Sequence, residues 1–325
     1  MNDYLQHILN FQTQFDRNAV KIENGEKLTG KEKPDGIIIC GMGASGNAGK
    51  IIHDLHRELN LPQVIPWNDY GLPENNFKNP FYIFASFSGN TEEEYLSIEE
   101  YLKGKMENKG LCAVVSSGGK LKEFAEKNKL PLASFEGNGL MPRESLGVLY
   151  TAILKILSMF FELPKQFIPS PVSENFKKTA DNLATSLQGK IPLIYTDRKN
   201  VALGHIWKTN LNETAKMLAL TNILPEIFHN EVQVFEKSAD KYAVIWIYDE
   251  ETARRNQKKL SEIHKIFDEK RIVTFALPVT ASNREEQIWH SVVLANLVSY
   301  NLATLQGLDP TEISVIDMLK GVHRN

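Results

Sequence analysis

Short apolar runs alternate with longer amphipathic segments along the chain. The runs at 36–40, 81–86 and 111–116 are almost continuously apolar, which is typical of parallel strands covered on both faces. Further strands are predicted at 64–67 and 130–135, and helices at 3–24, 47–59, 119–128 and 142–163. Strands and helices therefore alternate, which predicts an α/β fold with a doubly wound parallel sheet after an N-terminal helix.

A proline-containing segment separates this first half from a second half of similar design. Residues 164–171 contain three prolines and no hydrophobic period, as expected of a linker. Beyond it we predict helices at 172–187, from 200, at 251–270 and at 284–305, and strands at 192–196, 242–248 and 271–277. A chain of 325 residues suits two domains, which we assign to 1–163 and 172–325.

Composition narrows the class of protein. The formal net charge of -3 gives no basic footprint for nucleic acid. Cys40 and Cys112 lie at apolar runs, which predicts neither a disulfide framework nor a metal site and favours the cytoplasm. The first residues do not resemble a signal peptide, and the longest apolar run, 148–161, is shorter than the roughly 20 residues of a bilayer span. No membrane partner is expected.

Two glycine-containing loops follow predicted strands. The first, GMGASG at 41–46, matches the G-x-G-x-x-G fingerprint of dinucleotide sites, but its Ser45 adds a hydroxyl. The second follows the strand at 81–86 and carries the hydroxyls of Ser86, Ser88 and Thr91 before an acidic helix. Hydroxyls and the free N–H groups at a helix start together suit a phosphate.

Two alternatives to a phosphate site remain at these loops. Thr91 could be an N-cap and Glu94 its partner in a capping box, which would need no ligand. The first loop could serve a dinucleotide. Because loops on either side of a switch point in a doubly wound sheet face one crevice, two hydroxyl-bearing loops favour a small phosphorylated molecule.

Four further residues are candidates for chemistry. Arg143 stands at a helix start, where its charge opposes the dipole and therefore suggests an anionic partner. Glu213 on a helix and His229 in a loop form a plausible base and acid pair, although such residues are commonly solvated. Lys320 lies in a final amphipathic helix, where a surface lysine is the ordinary interpretation. His53 and His56 lack a third ligand, so no metal is assigned to them.

Five motifs, in order, resemble the bifunctional phosphoglucose/phosphomannose isomerases, which are built from two sugar isomerase (SIS) domains. They are GMGASG at 41–46, SFSGNTEE at 86–93, PRESLG at 142–147, FHNE at 228–231 and DPTEISVIDMLK at 309–320. Glu213, within NETAK, stands where the family has its catalytic glutamate. The chain departs from the family at Ala44, where glycine is usual, and at Gln233-Val234 in the segment after HNE.

The resemblance implies a complete site. Phosphate would be bound by Gly43, Ser45, Ser86, Ser88 and Thr91. Glu213 would move a proton between C1 and C2 through a cis-enediolate, Arg143 would stabilise its charge, and His229 and Lys320 would assist ring opening. The family has neither metal nor cofactor, and its histidine comes from the neighbouring subunit, which implies a homodimer with shared sites.

Two functions are therefore considered for this chain. The first is an isomerase that interconverts glucose 6-phosphate, and mannose 6-phosphate as a second candidate substrate, with fructose 6-phosphate. The second is a non-catalytic SIS-type sensor of a sugar phosphate. Glu213 separates them, because a sensor has no use for a positioned proton shuttle.

Overall fold

The computed structural model describes residues 3–104, 109–237, 239–279 and 284–322. They form two compact units. The N-terminal unit comprises residues 10–170, and the C-terminal unit comprises the opening helix α1 (Asp3–Leu9) together with residues from 171 onward. The division falls within the proline-containing segment, and residues 162–173 contain neither helix nor strand.

The N-terminal unit is a six-stranded sheet flanked by helices. Its strands are β1 (Lys21–Glu23), β2 (Gly36–Cys40), β3 (Gln63–Trp67), β4 (Pro80–Ser86), β5 (Leu111–Ser116) and β6 (Leu132–Ser134). Its helices are α2 (Gly43–Asp54), α3 (Glu92–Lys103), α4 (Gly119–Lys127) and α5 (Leu146–Leu157). The strand order is β1-β6-β5-β4-β2-β3, in which all but β1 run parallel.

The C-terminal unit is a four-stranded parallel sheet with the order β10-β9-β7-β8. Its strands are β7 (Ile191–Thr196), β8 (Leu220–Ile223), β9 (Tyr242–Asp249) and β10 (Val273–Val279). Its helices, besides α1, are α6 (Glu174–Leu187), α7 (Val201–Glu213), α8 (Glu250–Arg255), α9 (Gln257–Glu269), α10 (Arg284–Leu305) and α11 (Ser314–Val322). The prediction of α/β units with doubly wound sheets is thus confirmed.

Burial explains why these runs became strands. Ile37, Ile38 and Ile39 of β2 are completely buried, as are Phe81 to Ala85 of β4, because helices cover both faces of the sheet. In the C-terminal unit, Trp207, Trp246 and Trp289 are among the largest buried side chains. Cys40 and Cys112 are buried free thiols, as their apolar surroundings predicted.

The predicted helix at 3–24 is wrong beyond Leu9. The chain continues as two short 3₁₀ turns and then as β1, which pairs antiparallel with β6. The opening helix belongs to the C-terminal unit rather than to the domain predicted at 1–163. The reason is Tyr4, whose ring stacks on Tyr300 at 6.0 Å and whose hydroxyl lies 3.0 Å from Thr214 Oγ1.

Candidate functional site

The two hydroxyl-bearing loops begin at neighbouring strand ends. β2 leads through α2 to β3 on one side, whereas β4 pairs with β2 on the other side, with Cys40 opposite Phe84. The topological switch point of the N-terminal sheet therefore lies between β2 and β4. Ligands of open α/β sheets bind at such a point, beyond the carboxyl ends of the strands.

The first loop turns directly into α2. Met42 is the N-cap residue, has extended backbone and makes no side-chain cap, so the first N–H groups of the helix remain for other acceptors. Gly46 is required by close approach, because a Cβ there would collide with the Gly41 carbonyl oxygen and the Asn68 amide. Gly43 is exposed, and Ala44, the departure from the family, is half-buried in the first turn.

A hydrogen-bond network joins the second loop to the first. The Phe87 N–H donates to Ser45 Oγ at 3.2 Å, which links the loops directly. Ser86 Oγ accepts from the Gly89 N–H at 3.1 Å and lies 2.8 Å from Thr91 Oγ1. The Asn90 N–H donates to Ser88 Oγ at 3.3 Å.

This network uses the hydroxyls mainly as acceptors. Ser45 and Ser88 each accept a backbone N–H, so their own protons can be donated elsewhere. Ser86 and Thr91 share one hydrogen bond in which either hydroxyl can donate, so one proton of this pair is used between them. The structure thus brings the hydroxyls of Ser45, Ser86, Ser88 and Thr91 together beside the first turns of α2 and α3, and the protons of Ser45 and Ser88 remain for an anionic oxygen cluster.

The capping-box alternative is wrong in its hydrogen bonds. Thr91 is the N-cap residue of α3, but its side chain makes no cap bond. Its hydroxyl lies instead beside Ser86. Glu94 turns inward and is 2% exposed, and its Oε2 has no hydrogen-bond partner among the described residues.

The buried Glu94 affects the charge of the site. Burial, together with the charge of neighbouring Glu93, raises the pKa of this carboxyl to about 8, against opposing hydrogen bonds from the N–H groups of Glu94 and Met42 and from the Thr91 hydroxyl. At pH 7 the group is therefore mostly neutral. An ionised carboxylate beneath these loops would repel a phosphate, and this one is largely uncharged.

Arg143 lies on a 3₁₀ turn, Pro142–Glu144, that packs against α2. The helix predicted at 142–163 begins only at Leu146 and ends at Leu157, and its first N–H groups are capped by a side chain distant in sequence. Gln14 Oε1 accepts from Gly147 N–H at 3.0 Å and from Val148 N–H at 3.3 Å. Gln14 Nε2 donates to the Glu144 carbonyl at 2.7 Å, so Gln14 holds the turn that carries half-buried Arg143.

Glu213 is the last residue of α7, and its neighbours fix the helix end. Lys216 Nζ donates to the carbonyls of Glu213 at 3.0 Å and Asp309 at 2.8 Å, which ties α7 to the segment before α11. Asn212 Oδ1 accepts from the Ala219 N–H at 3.1 Å. The NETAK motif therefore holds half-buried Glu213 at a defined place.

Glu213 lines a groove of about 470 Å³. Its walls are residues 212–213, 216–218 and 312–316. Lys320 is exposed on the last turn of α11, whose first turn forms part of this wall. Asp309 Oδ1 accepts from the N–H and hydroxyl of Thr311, so it caps this turn rather than α11, which starts at Ser314.

His229 lies beyond the carboxyl ends of the strands of the C-terminal sheet. It ends the 3₁₀ turn Glu226–His229, which follows the carboxyl end of β8, and it is exposed. α7 runs antiparallel to the strands over about 20 Å, so Glu213 lies near the amino ends of the strands, where β8 begins. The structure therefore separates Glu213 and His229 within one chain. The departures Gln233 and Val234 are exposed on the following turn.

The switch point of the C-terminal sheet has a different chemistry. Between β7 and β9, Asp197 is buried and accepts from the N–H groups of Lys199 and Asp249, at 2.9 and 2.8 Å, and from Asn200 Nδ2 at 2.8 Å. A carboxylate occupies the position where the N-terminal sheet presents hydroxyls, so this crevice does not suit a phosphate. Sequence reasoning missed Gln14 and Asp197 and considered Glu94 only as a capping-box partner, because the roles of these residues depend on side-chain direction.

Within the described residues, no group of three or more His, Cys, Asp or Glu side chains could hold a metal ion. None of the helices in these ranges is long and apolar enough to cross a membrane.

Comparison with known proteins agrees with this architecture. The family model of the bacterial phospho-glucose isomerase C-terminal SIS domain matches residues 176–322. Bifunctional phosphoglucose/phosphomannose isomerases of Aquifex aeolicus and Thermoplasma acidophilum are 30% and 29% identical, over 88% and 87% of this chain and 89% and 88% of theirs. A solved hypothetical protein of Thermus thermophilus shares the fold, with a TM-score of 0.69, 12% identity and coverage of 99% of this chain and 89% of that one. The chain belongs to the family of the bifunctional phosphoglucose/phosphomannose isomerases.

Proposed function

We propose that this protein interconverts glucose 6-phosphate, and mannose 6-phosphate as a second aldose, with fructose 6-phosphate through a cis-enediolate. The observation that carries the proposal is the pair of bonded hydroxyl loops at the switch point of the N-terminal sheet, in a chain of this family. Gly43, Ser45, Ser86, Ser88 and Thr91 would bind the phosphate.

The phosphate would be held without a lysine or arginine in either loop. Hydroxyl protons and the first N–H groups of α2 and α3 would donate to its oxygens, with the positive ends of both helix dipoles behind them. These contacts are present in ground and transition states alike, so they contribute to binding rather than to the chemical step.

The chemical step needs a base that reaches two adjacent carbons, and Glu213 would supply it. Arg143 would stabilise the negative oxygen of the enediolate, whose charge develops only during the reaction. His229 and Lys320 would exchange protons with the ring oxygen and the hydroxyl that opens and closes the ring.

The proposed active form is a homodimer with shared sites. The proposal is supported by the topology of the C-terminal sheet, in which Glu213 and His229 of one chain lie at opposite ends of the strands. A site that needs both residues would then draw them from two chains. The cytoplasm is the proposed location, because both cysteines are buried free thiols.

A coupled assay of purified protein with each hexose 6-phosphate tests the function. Turnover of glucose 6-phosphate and mannose 6-phosphate to fructose 6-phosphate is the expected result. Saturable binding of these sugars without turnover would replace the enzyme with the sensor, and absence of both binding and turnover would contradict the phosphate assignment as well.

A further inference from the structure

Glu231 of the FHNE motif is bound on both carboxylate oxygens by side chains of the sheet. Tyr195 OH donates to Oε1 at 3.0 Å, and Asn222 Nδ2 donates to Oε2 at 2.5 Å. Tyr195 on β7 and Asn222 on β8 are register partners, so the two donors lie side by side on neighbouring strands. Glu231 is therefore fixed to the sheet at two points.

The donor and acceptor roles in this cluster are determined. Asn222 Oδ1 accepts from the Ile223 N–H at 2.8 Å, which directs the amide nitrogen toward Glu231. Burial raises the pKa of Tyr195, and the charge of Glu231 raises it further, so the phenol keeps its proton and donates. Both neighbours donate, and only a carboxylate accepts at both oxygens.

The anchored Glu231 is two residues from His229. Between them, Asn230 Oδ1 accepts from the Glu231 N–H at 2.6 Å, and Asn230 Nδ2 donates to Glu226 Oε1 at 2.8 Å. The turn that carries the exposed His229 is thus bonded on both sides of that residue, and its Ile227 is buried.

We propose that Glu231, clamped by Tyr195 and Asn222, is the positioning residue that directs the His229 imidazole at the sugar ring. The inference rests on the proposed function, in which His229 assists ring opening. Glu231 acts through His229, because its own carboxylate is occupied by the sheet.

The test removes the acceptor and then exchanges the two partners. Glu231→Met removes both acceptor oxygens at similar side-chain length, and Asn222→Asp sets two carboxylates against each other. In the double exchange Glu231→Gln with Asn222→Asp, the glutamine donates to the aspartate and accepts from Tyr195, so both bonds are restored. Glu236→Gln is the control, because this residue is exposed and, among the described residues, its carboxylate bonds to Gln233 in the same loop rather than to the sheet.

The readout is ring opening separated from isomerisation. Exchange NMR measures interconversion of the α and β anomers of glucose 6-phosphate, and the coupled assay measures fructose 6-phosphate. Each single variant is expected to lose ring opening about 10- to 100-fold, as for a displaced catalytic group, whereas the double exchange regains most of it and the control is unchanged. Tyr195→Phe, which keeps the buried ring, should show a smaller loss in the same direction.

A double-mutant cycle excludes a merely structural role. In a His229→Ala background, Glu231→Met should cause no further loss of ring opening, because the two residues act as one unit. Additive losses would overturn the proposal, as would wild-type anomer exchange in Glu231→Met. The proposed function fails separately, if the wild-type protein does not isomerise hexose 6-phosphates at all.

Discussion

Glu94 shows how the direction of one side chain changes the charge of a site. Its carboxyl lies buried where the loops at 41–46 and 86–91 meet, and burial raises the pKa to about 8 from an ordinary 4.5. In the unfolded chain the group ionises near the ordinary value. Between these two values the folded protein binds a proton that the unfolded chain releases, so this group lowers stability as pH rises through the window.

Glu94→Gln should therefore stabilise the protein increasingly from pH 5 to pH 8. The difference in the free energy of unfolding between variant and wild type is expected to grow by up to about 1.4 kcal/mol per pH unit, and to level off above pH 8. Urea unfolding at a series of pH values measures it. The exposed neighbour Glu92→Gln is the control; a Glu94→Gln difference that does not change with pH would mean the carboxyl is ionised throughout.

Ser88→Ala with Thr91→Ala tests the phosphate loop at the same scale. Hydrogen bonds to a charged group are each worth about 1.5–3 kcal/mol, so the loss of two should raise KM at least about 100-fold, with little change in kcat. Initial-rate kinetics measure both constants. Ser158→Ala removes an exposed hydroxyl from the same unit and should leave KM unchanged. An unchanged KM in the double variant would remove these hydroxyls from the phosphate site.

At the scale of elements, long apolar runs could be predicted from the sequence and short polar ones could not. Strand β2 and helix α10 have the predicted bounds. Strand β8, LTNI, was missed because it is short and its residues are exposed or half-buried. The helix predicted at 251–270 is two helices: the first is capped by Asp249 and ends before Asn256, and the second begins after it.

The loops of the site were predicted from their glycines and hydroxyls, but their supports were not. Gln14 caps a helix that begins more than one hundred residues later, and its bonding partner Gly147 is 133 residues away in the sequence. Glu231 binds two strands from a loop. Such contacts depend on the direction of single side chains in three dimensions, and no local pattern in the sequence carries that information.

Gly89 and Gly43 allow the packing of the two loops to be compared, because one residue lies in each loop. Both have positive φ, +67° and +51°, but a Cβ at Gly89 would collide with the Gly118 carbonyl oxygen, whereas a Cβ at Gly43 would meet nothing. Gly43→Ala should cost only the left-handed strain of about 1–2 kcal/mol, and Gly89→Ala should cost clearly more. Urea unfolding compares them. Equal losses would mean that the loop after β4 is not packed against Gly118.

At the scale of the whole molecule, Glu213 and His229 lie at opposite ends of the strands of one sheet, which leads to a prediction about assembly. His229→Ala and Glu213→Gln proteins, each nearly inactive, should regain activity when mixed. With random exchange, half of the dimers are mixed and each has one intact site, so recovery approaches about one quarter of the wild-type rate.

Exchange of subunits must be demonstrated independently in that experiment, for example by mass spectrometry of isotope-labelled chains. Glu213→Gln mixed with Glu213→Ala is the control, because neither chain supplies the base. Demonstrated exchange without recovery would argue that each site is built from one chain.

The central claim is that Glu213 carries a proton between two carbons, and solvent deuterium tests it directly. Glutamine keeps the shape of glutamate but cannot accept the proton, so Glu213→Gln should lower kcat by about 10²–10⁴-fold while binding of hexose 6-phosphate persists. In D₂O, NMR should detect deuterium at C2 of glucose 6-phosphate during turnover by the wild type and none with Glu213→Gln. Isomerisation by the wild type with complete retention of the C2 hydrogen, or near wild-type turnover by Glu213→Gln, would contradict the account.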